Sequence, residues 1–266
     1  MSQEIGVQQS TFPDVRAIAV GAPFRWLAKG WQDFRARPLP SLFYGVCFAA
    51  MGWMIAFTFR NAYQYVSALV TGFFLVGPFF AIGLYDLSRR RQRGEVPTLL
   101  PTLDAWRSNV GAIGMFALVL TVVLLVWARA SLVVFALFYT HDMPSLQGFV
   151  AQVFSLDNLE FLFAYFCVGG FFAVLVFAIS VVSVPMMMDR DADGIVAVLT
   201  SLKAFGASVP AMIVWGLIIA VVIGAGFALW FVGLVVAVPV IGHATWHAYR
   251  EIVVAGTQSP EAGDDA

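Results

Sequence analysis

The stretch "PAMIVWGLIIAVVIGAGFALWFVGLVVAVPVIGHATWHAYRE", residues 210–251, runs for some thirty positions without a single charge and then ends in a dense polar decapeptide. A helix needs about 20 apolar residues to cross hydrocarbon. Residues 210–227 supply one such length and residues 229–248 a second, with almost no loop between them. The stretch therefore reads as a hairpin of two spans, or as one span followed by a re-entrant piece. Either reading places its carboxyl end, "GHATWHAYRE", at a membrane surface.

Outward from this hairpin, four more stretches qualify as spans: 40–59, 65–85, 110–128 and 161–184. The whole chain of 266 residues is 61% hydrophobic and 12% charged, against about 45–50% and roughly 25% for a soluble globule. The fold class is all-α and polytopic, with about six transmembrane helices in hairpins. No composition signal points to nucleic acid; the expected partners are the lipid bilayer and a membrane-protein complex.

The fifteen Lys and Arg divide unevenly between the two sides of this topology. Only Arg60 and Arg129 fall on one side, and the other thirteen fall with the termini. The positive-inside rule then puts both ends in the cytoplasm of a bacterial inner membrane. The opening "MSQEIGVQQSTFPD" carries an acid and no apolar core, so it does not read as a cleaved signal. Residues 1–20 and the acidic tail 253–266 read as disordered cytoplasmic ends around one membrane domain, 21–252. Cys47 and Cys167 lie in apolar runs and read as small buried hydrophobes.

Three segments are amphipathic and are expected to lie in the interface as helices. Phe24, Leu27, Trp31 and Phe34 share one face, opposite Arg25, Lys29, Gln32 and Arg35. Leu99, Leu103, Trp106 and Val110 share another. Ile195, Val198, Leu199, Leu202 and Phe205 share the third. Each segment precedes two spans, and the second span of each pair carries a proline: Pro78, Pro185 and Pro239. This order suggests a threefold repeat with units at about 23–88, 97–190 and 193–250. The middle unit is lengthened by residues 131–158, which have no Lys or Arg and read as an outer-side insertion.

Few motifs carry chemistry. "DRDADG", 189–194, offers three carboxylates and a turn glycine as a calcium loop would, but Thr200 stands where the bidentate acid belongs. Asp193 reads better as the cap of the third interfacial helix, with Asp189 and Asp191 favouring its positive end; a cation or lipid-headgroup role is the other reading. "SRRRQRGE", 88–95, reads as a topology determinant or an anionic-lipid patch built from Arg89, Arg90, Arg91 and Arg93. Arg60, Arg129 and Glu160 sit at span ends, where snorkelling suffices.

In "GHATWHAYRE" the histidines His243 and His247 are one helical turn apart and share a face. That spacing supplies half a metal site, and the companions on the same side would be Asp86, Asp189, Asp191, Asp193 or Glu251. The third histidine, His141, is expected on the opposite side. The alternative is an interfacial belt in which Trp246 and Tyr249 sit at headgroup depth and Arg250 snorkels. A third reading gives the pair a quinone, lipid or other ligand; no cofactor is predicted, a metal or haem being the expectation only of the first reading.

With "VPMMMDRD" (184–191) and "GHATWHAYRE" at equivalent ends of two spans, the chain resembles a bacterial integral-membrane family catalogued as a domain of unknown function. The likeness covers roughly 15–254. The resemblance implies a proteobacterial inner-membrane protein with no established activity. Its signature falls on Pro185, Asp189, Arg190 and Asp191, then on Gly242, His243, Trp246, His247, Tyr249 and Arg250. Some relatives look as though they carry labels pointing to cytochrome c oxidase subunit I. A core of that kind needs more imidazole ligands for its haems and copper than three histidines supply. These residues form the candidate ligand or helix-clamp site, with pairing expected from Asp189 to Arg250 or from Asp191 to His247. The function expected is a non-enzymatic scaffold, accessory or lipid-interacting protein. The alternatives are a small-molecule transporter, and a metal- or haem-linked accessory of respiratory complexes using His243 and His247.

Overall fold

The computed structural model describes residues 13–62, 65–138 and 159–254. His141 and most of the 131–158 insertion lie outside them. The described residues form α1 (Ala22–Ala36), α2 (Pro38–Asn61), α3 (Val66–Gln92), α4 (Leu99–Thr102), α5 (Val110–Phe138), α6 (Leu159–Ser180), α7 (Ser183–Arg190), α8 (Gly194–Ala207), α9 (Val209–Ala228) and α10 (Leu234–Ile252). A single 3₁₀ turn, Ala105–Asn109, joins α4 to α5. The elements formed by the described residues are all helical, apart from one isolated bridge between the two ends.

Four stretches are long and apolar enough to cross a membrane: Pro38–Asn61, Leu99–Phe138, Leu159–Arg190 and Val209–Ala228. The other two expected spans, 65–85 and 229–248, form α3 and α10. Both end in polar residues that are partly or wholly packed inside the protein, so their apolar portions are shorter. A short helix is followed by two long ones three times, with the additional short helix α7 standing between the second and third sets. Pro78 and Pro239 lie inside their helices. Pro185 differs: the helix before it ends at Ser180, and the proline sits in the first turn of α7, where its missing N–H costs nothing.

The segment 210–251 folds as two helices joined by a tight turn, of which Val209–Ala228 is long and apolar enough to cross a membrane. Trp230 and Phe231 take positive φ values of 53° and 66° and turn the chain between α9 and α10. Gly226 and Gly233 let the two helices meet. A Cβ on Gly233 would lie 2.7 Å from the Gly226 Cα.

The amphipathic segments depart from expectation in one consistent way. On α1 the face carrying Ala22, Trp26, Gly30 and Asp33 is buried, with Phe34 beside it, while Phe24 and Trp31 are 61% and 44% exposed. On α8 the buried face is Ala197, Thr200, Ser201 and Ala204, while Ile195, Leu199 and Leu202 are exposed. In a bilayer, helices meet through small and polar residues and large apolar side chains face lipid. The second segment is not one helix: α4 stops at Thr102, and the chain re-forms as the 3₁₀ turn. Asn109 ties that turn to its neighbours, donating to the carbonyls of Met187 and Ala192 at 3.2 and 2.9 Å.

Asp193 caps α8 as its position suggests, accepting from the Ile195 N–H at 2.7 Å. Asp193→Ala should lower stability by about 1 kcal/mol while Asp193→Asn leaves it within a few tenths; thermal melts of the detergent-solubilised protein check this.

Cys47 is half-buried and Cys167 exposed on the surface of α6, so Cys167 is not the buried hydrophobe expected. Its apolar run faces outward. At the ends, the described residues extend beyond 21–252. Val15 pairs with Val253 in an isolated antiparallel bridge, the Arg16 N–H donates to the Ile252 carbonyl at 2.8 Å, and the Ile18 N–H donates to Ser208 Oγ at 2.8 Å. The two ends of the described chain therefore lie together, on one side of the bundle.

Candidate functional site

The C-terminal half of α10 is the hub of a polar belt. From Val240 onward nearly every residue is buried: His243 is 1% exposed, Trp246 1%, Tyr249 0% and His247 9%. Four other helices, α1, α2, α3 and α7, contribute the partners. A polar helix face inside a membrane protein is stable only when every donor and acceptor finds such a partner.

The first node is Asp33, on the buried face of α1. Its Oδ2 accepts from Ser88 Oγ at 2.6 Å and from His247 Nε2 at 2.9 Å, and its Oδ1 accepts from the Arg91 guanidinium. Burial raises the Asp33 carboxyl, but the hydrogen bonds from His247 and Ser88, with the nearby imidazoles, more than offset it and hold the group below the ordinary aspartate value. His247 is saturated on both sides. Its Nδ1 accepts from Gln92 Nε2 at 3.1 Å, and Gln92 Oε1 accepts from Trp246 Nε1 at 3.0 Å. With Gln92 oriented by Trp246, Nδ1 is the accepting nitrogen of the ring and Nε2 the one that donates to Asp33.

His243 lies between two serines. Its Nε2 meets Ser41 Oγ at 2.9 Å and its Nδ1 meets Ser88 Oγ at 2.8 Å. The Ser41 hydroxyl also reaches the Arg37 carbonyl at 3.0 Å. Thus α1, α2, α3 and α10 are joined by one hydrogen-bonded string, Trp246–Gln92–His247–Asp33–Ser88–His243–Ser41.

The second node is Asp189 of α7. Its Oδ2 accepts from Tyr249 Oη at 2.8 Å and from Arg250 Nη1 at 3.1 Å. Arg190 Nε donates to the Tyr249 oxygen at 2.9 Å, and its Nη2 donates to the carbonyls of Val253 and Val254 at 3.3 and 2.8 Å. The expected Asp189 to Arg250 contact is present. The expected Asp191 to His247 contact is not: Asp191 ends α7 in a left-handed conformation with an exposed side chain, and His247 is held by Asp33. A third tie joins Glu251 to Arg25 at 2.7 Å and to Trp26 Nε1 at 2.9 Å.

The basic run does not stand free. Asp86, fully buried, accepts from Arg89 Nε at 2.9 Å and from Arg90 Nε at 2.7 Å. Arg91 is held by Asp33, which leaves Arg93 as the member of the run without a side-chain contact among the described residues. Three of the four arginines read as a lipid patch are thus committed to internal carboxylates. The Asp86 pairs were legible as i,i+3 and i,i+4 contacts on a helix. Asp33, Ser41, Ser88 and Gln92 were missed. The available signal was Gly30 three residues before Asp33, a small residue and an acid on one face of a basic helix.

For a metal, both nitrogens of each imidazole already have hydrogen-bond partners, so ligation would require displacing one of them. Among the described residues no group of three or more His, Cys, Asp or Glu side chains is placed to hold an ion. What the belt can do chemically is hold five helices in register.

Away from the belt lie two apolar cavities. One, of about 990 Å³, is lined by Phe24, Leu27 and Trp31 of α1, Val222 and Gly226 of α9 and Val236 of α10. The other, of about 800 Å³, lies between α2, α3 and the α9–α10 hairpin, with Arg60 and Trp230 in its wall.

A helical bundle with several spans, a buried polar belt and apolar cavities defines an integral membrane protein, which sits in a lipid bilayer. Residues 66–189, from α3 to α7, match the profile of a family described as "Predicted integral membrane protein (DUF2189)", whose function is unknown. The match includes Pro185 and Asp189 and stops before Arg190, Asp191 and the 242–251 motif. Comparison with curated proteins and with solved structures returns no match.

Proposed function

We propose that this is a non-catalytic bacterial inner-membrane protein that binds bilayer lipid in its lateral grooves, with both termini cytoplasmic and the belt serving as a fixed clamp. The observation that carries the reading is the division of labour between belt and grooves. The polar side chains of the belt are spent on one another, whereas the 990 Å³ groove is lined by apolar residues, including the exposed Phe24 and Trp31. Cavities of about 300–1,000 Å³ with apolar walls suit a small ligand, and hydrocarbon is the ligand that such walls recognise. The side assignment is supported by the basic residues, thirteen of fifteen of which accompany the paired ends of the chain.

Phospholipid co-purifying in mild detergent should be quantified by extraction and phosphate assay. About one or more lipids per protein are expected to survive extensive washing, with fewer in Ala28→Trp, which fills the groove beside Trp31. Equal lipid in both proteins would overturn the reading.

A further inference from the structure

The 800 Å³ cavity sits at the end of the bundle away from the belt. Ser41, in the belt, and Arg60 lie nineteen residues apart on α2, about 28 Å along a helix and close to the thickness of hydrocarbon. Phe48, Ile55, Phe59, Phe227, Phe231 and Leu234 supply much of its wall. Its rim is of different chemistry. Arg60 stacks over the Trp230 ring at 5.9 Å, and Trp53 Nε1 donates to the Trp230 carbonyl at 2.8 Å. Arg60 and Trp230 together at the end of α2 mark headgroup depth, where indole and guanidinium groups are at home, with Trp53 two turns earlier on α2. Arg60 is exposed, and among the described residues it meets no carboxylate. This contrasts with Arg89, Arg90 and Arg91, each of which is matched to an internal acid.

An apolar chamber with one unmatched cation at its mouth is complementary to a molecule with a hydrocarbon tail and an anionic head. We propose that this cavity is a specific site for an anionic phospholipid, with an acyl chain between α2, α3 and the α9–α10 hairpin and the phosphate on Arg60. The planar guanidinium offers a phosphate two parallel donors, which a zwitterionic lipid can use only against the competition of its own cation. The inference rests on the lipid-binding reading and adds the chemical class and the anchoring residue. Nothing in the belt is required for it.

The test is native mass spectrometry of the full-length protein, delipidated in detergent and then offered phosphatidylglycerol and phosphatidylcholine with identical acyl chains, together with palmitate. The wild type is expected to retain phosphatidylglycerol about fivefold over phosphatidylcholine, the size of one surface arginine–lipid contact. The preference should fall to near parity in Arg60→Gln and persist in Arg60→Lys. Ala56→Trp, which fills the cavity, should abolish the preferential retention. Because Arg60 is exposed, Arg60→Gln tests the site without disturbing packing. An undiminished preference in Arg60→Gln overturns the proposal while leaving the lipid reading intact. Retention of palmitate in place of either phospholipid overturns the assignment to a phospholipid. Retention of no lipid by the wild type removes both this proposal and the reading beneath it.

Discussion

Asp33→Ala should cost about 3–5 kcal/mol, the range for removing one partner of a buried ion pair. The reason is the number of groups it would strand. Asp33 is 7% exposed and accepts from Ser88, His247 and Arg91, which belong to two different helices. Without it, the Arg91 guanidinium loses its only carboxylate among the described residues, and His247 Nε2 and the Ser88 hydroxyl lose their acceptor. Asp33→Asn keeps the shape and one acceptor oxygen, so its cost should be intermediate. Asp104→Ala is the control: its pairing with Arg107 is between side chains 64% and 67% exposed, and such pairs contribute about 0–1 kcal/mol. The measurement is a thermal melt of each variant in the same detergent. An Asp33→Ala protein as stable as Asp104→Ala would show that the belt does not hold the bundle.

The same residue gives the belt a pH signature. Its folded carboxyl titrates below its unfolded value of about 3.9. The unfolded chain therefore binds the proton first as pH falls. Stability from Asp33 is complete above about pH 4 and is lost as pH drops through the lower, folded value. Acid melts of Asp33→Asn should lack this component, and an identical acid limb in wild type and Asp33→Asn would rule it out.

How far the sequence could be read depends on which physical rule governed each segment. The long apolar runs were legible because a span must satisfy its backbone internally, and each expected span is largely helical, although 161–184 is broken after Ser180 and 229–248 begins in a turn. The amphipathic helices were legible as helices but not by face. On α1 and α8 the large apolar residues were the visible pattern, yet Phe24, Trp31, Ile195, Leu199 and Leu202 turn outward, while the buried faces mix Trp26 and Phe34 with small or polar residues such as Gly30, Asp33, Ala197 and Ser201. Small residues leave no strong periodic signal. The Asp189–Arg250 contact was legible because both residues sit at span ends on one side. His247 was assigned a partner from the wrong segment because the acid that takes it, Asp33, is separated from it by 214 residues and hidden among arginines. Long-range pairing of this kind has no local trace.

Gly45→Ala should be strongly damaging as well, by a purely steric route. A methyl group in a helix interior ordinarily stabilises by about 1 kcal/mol relative to glycine. At Gly45 the new Cβ would drive onto the Val235 carbonyl, meeting its carbon at 2.7 Å and its Cα at 2.9 Å, so α2 must move away from α10. Backbone atoms cannot yield as a side chain can, and overpacking of this kind costs about 1–3 kcal/mol or more. The sign of the substitution is thus reversed by the helix contact. Gly114→Ala, on α5 with nothing within 4 Å of the added atom, should be neutral or stabilising. The displacement also reaches the belt, because Ser41 lies one turn from Gly45 and its hydroxyl meets His243 at 2.9 Å. Ser41→Ala should therefore cost about 1 kcal/mol in the wild type and markedly less in the Gly45→Ala background, where that contact is already broken. A double-mutant cycle of thermal stabilities measures the coupling. Additive effects would mean that helix approach and belt register are independent. Strong coupling would mean that the glycine seam of α2 sets the distance at which the histidines of α10 find their serines.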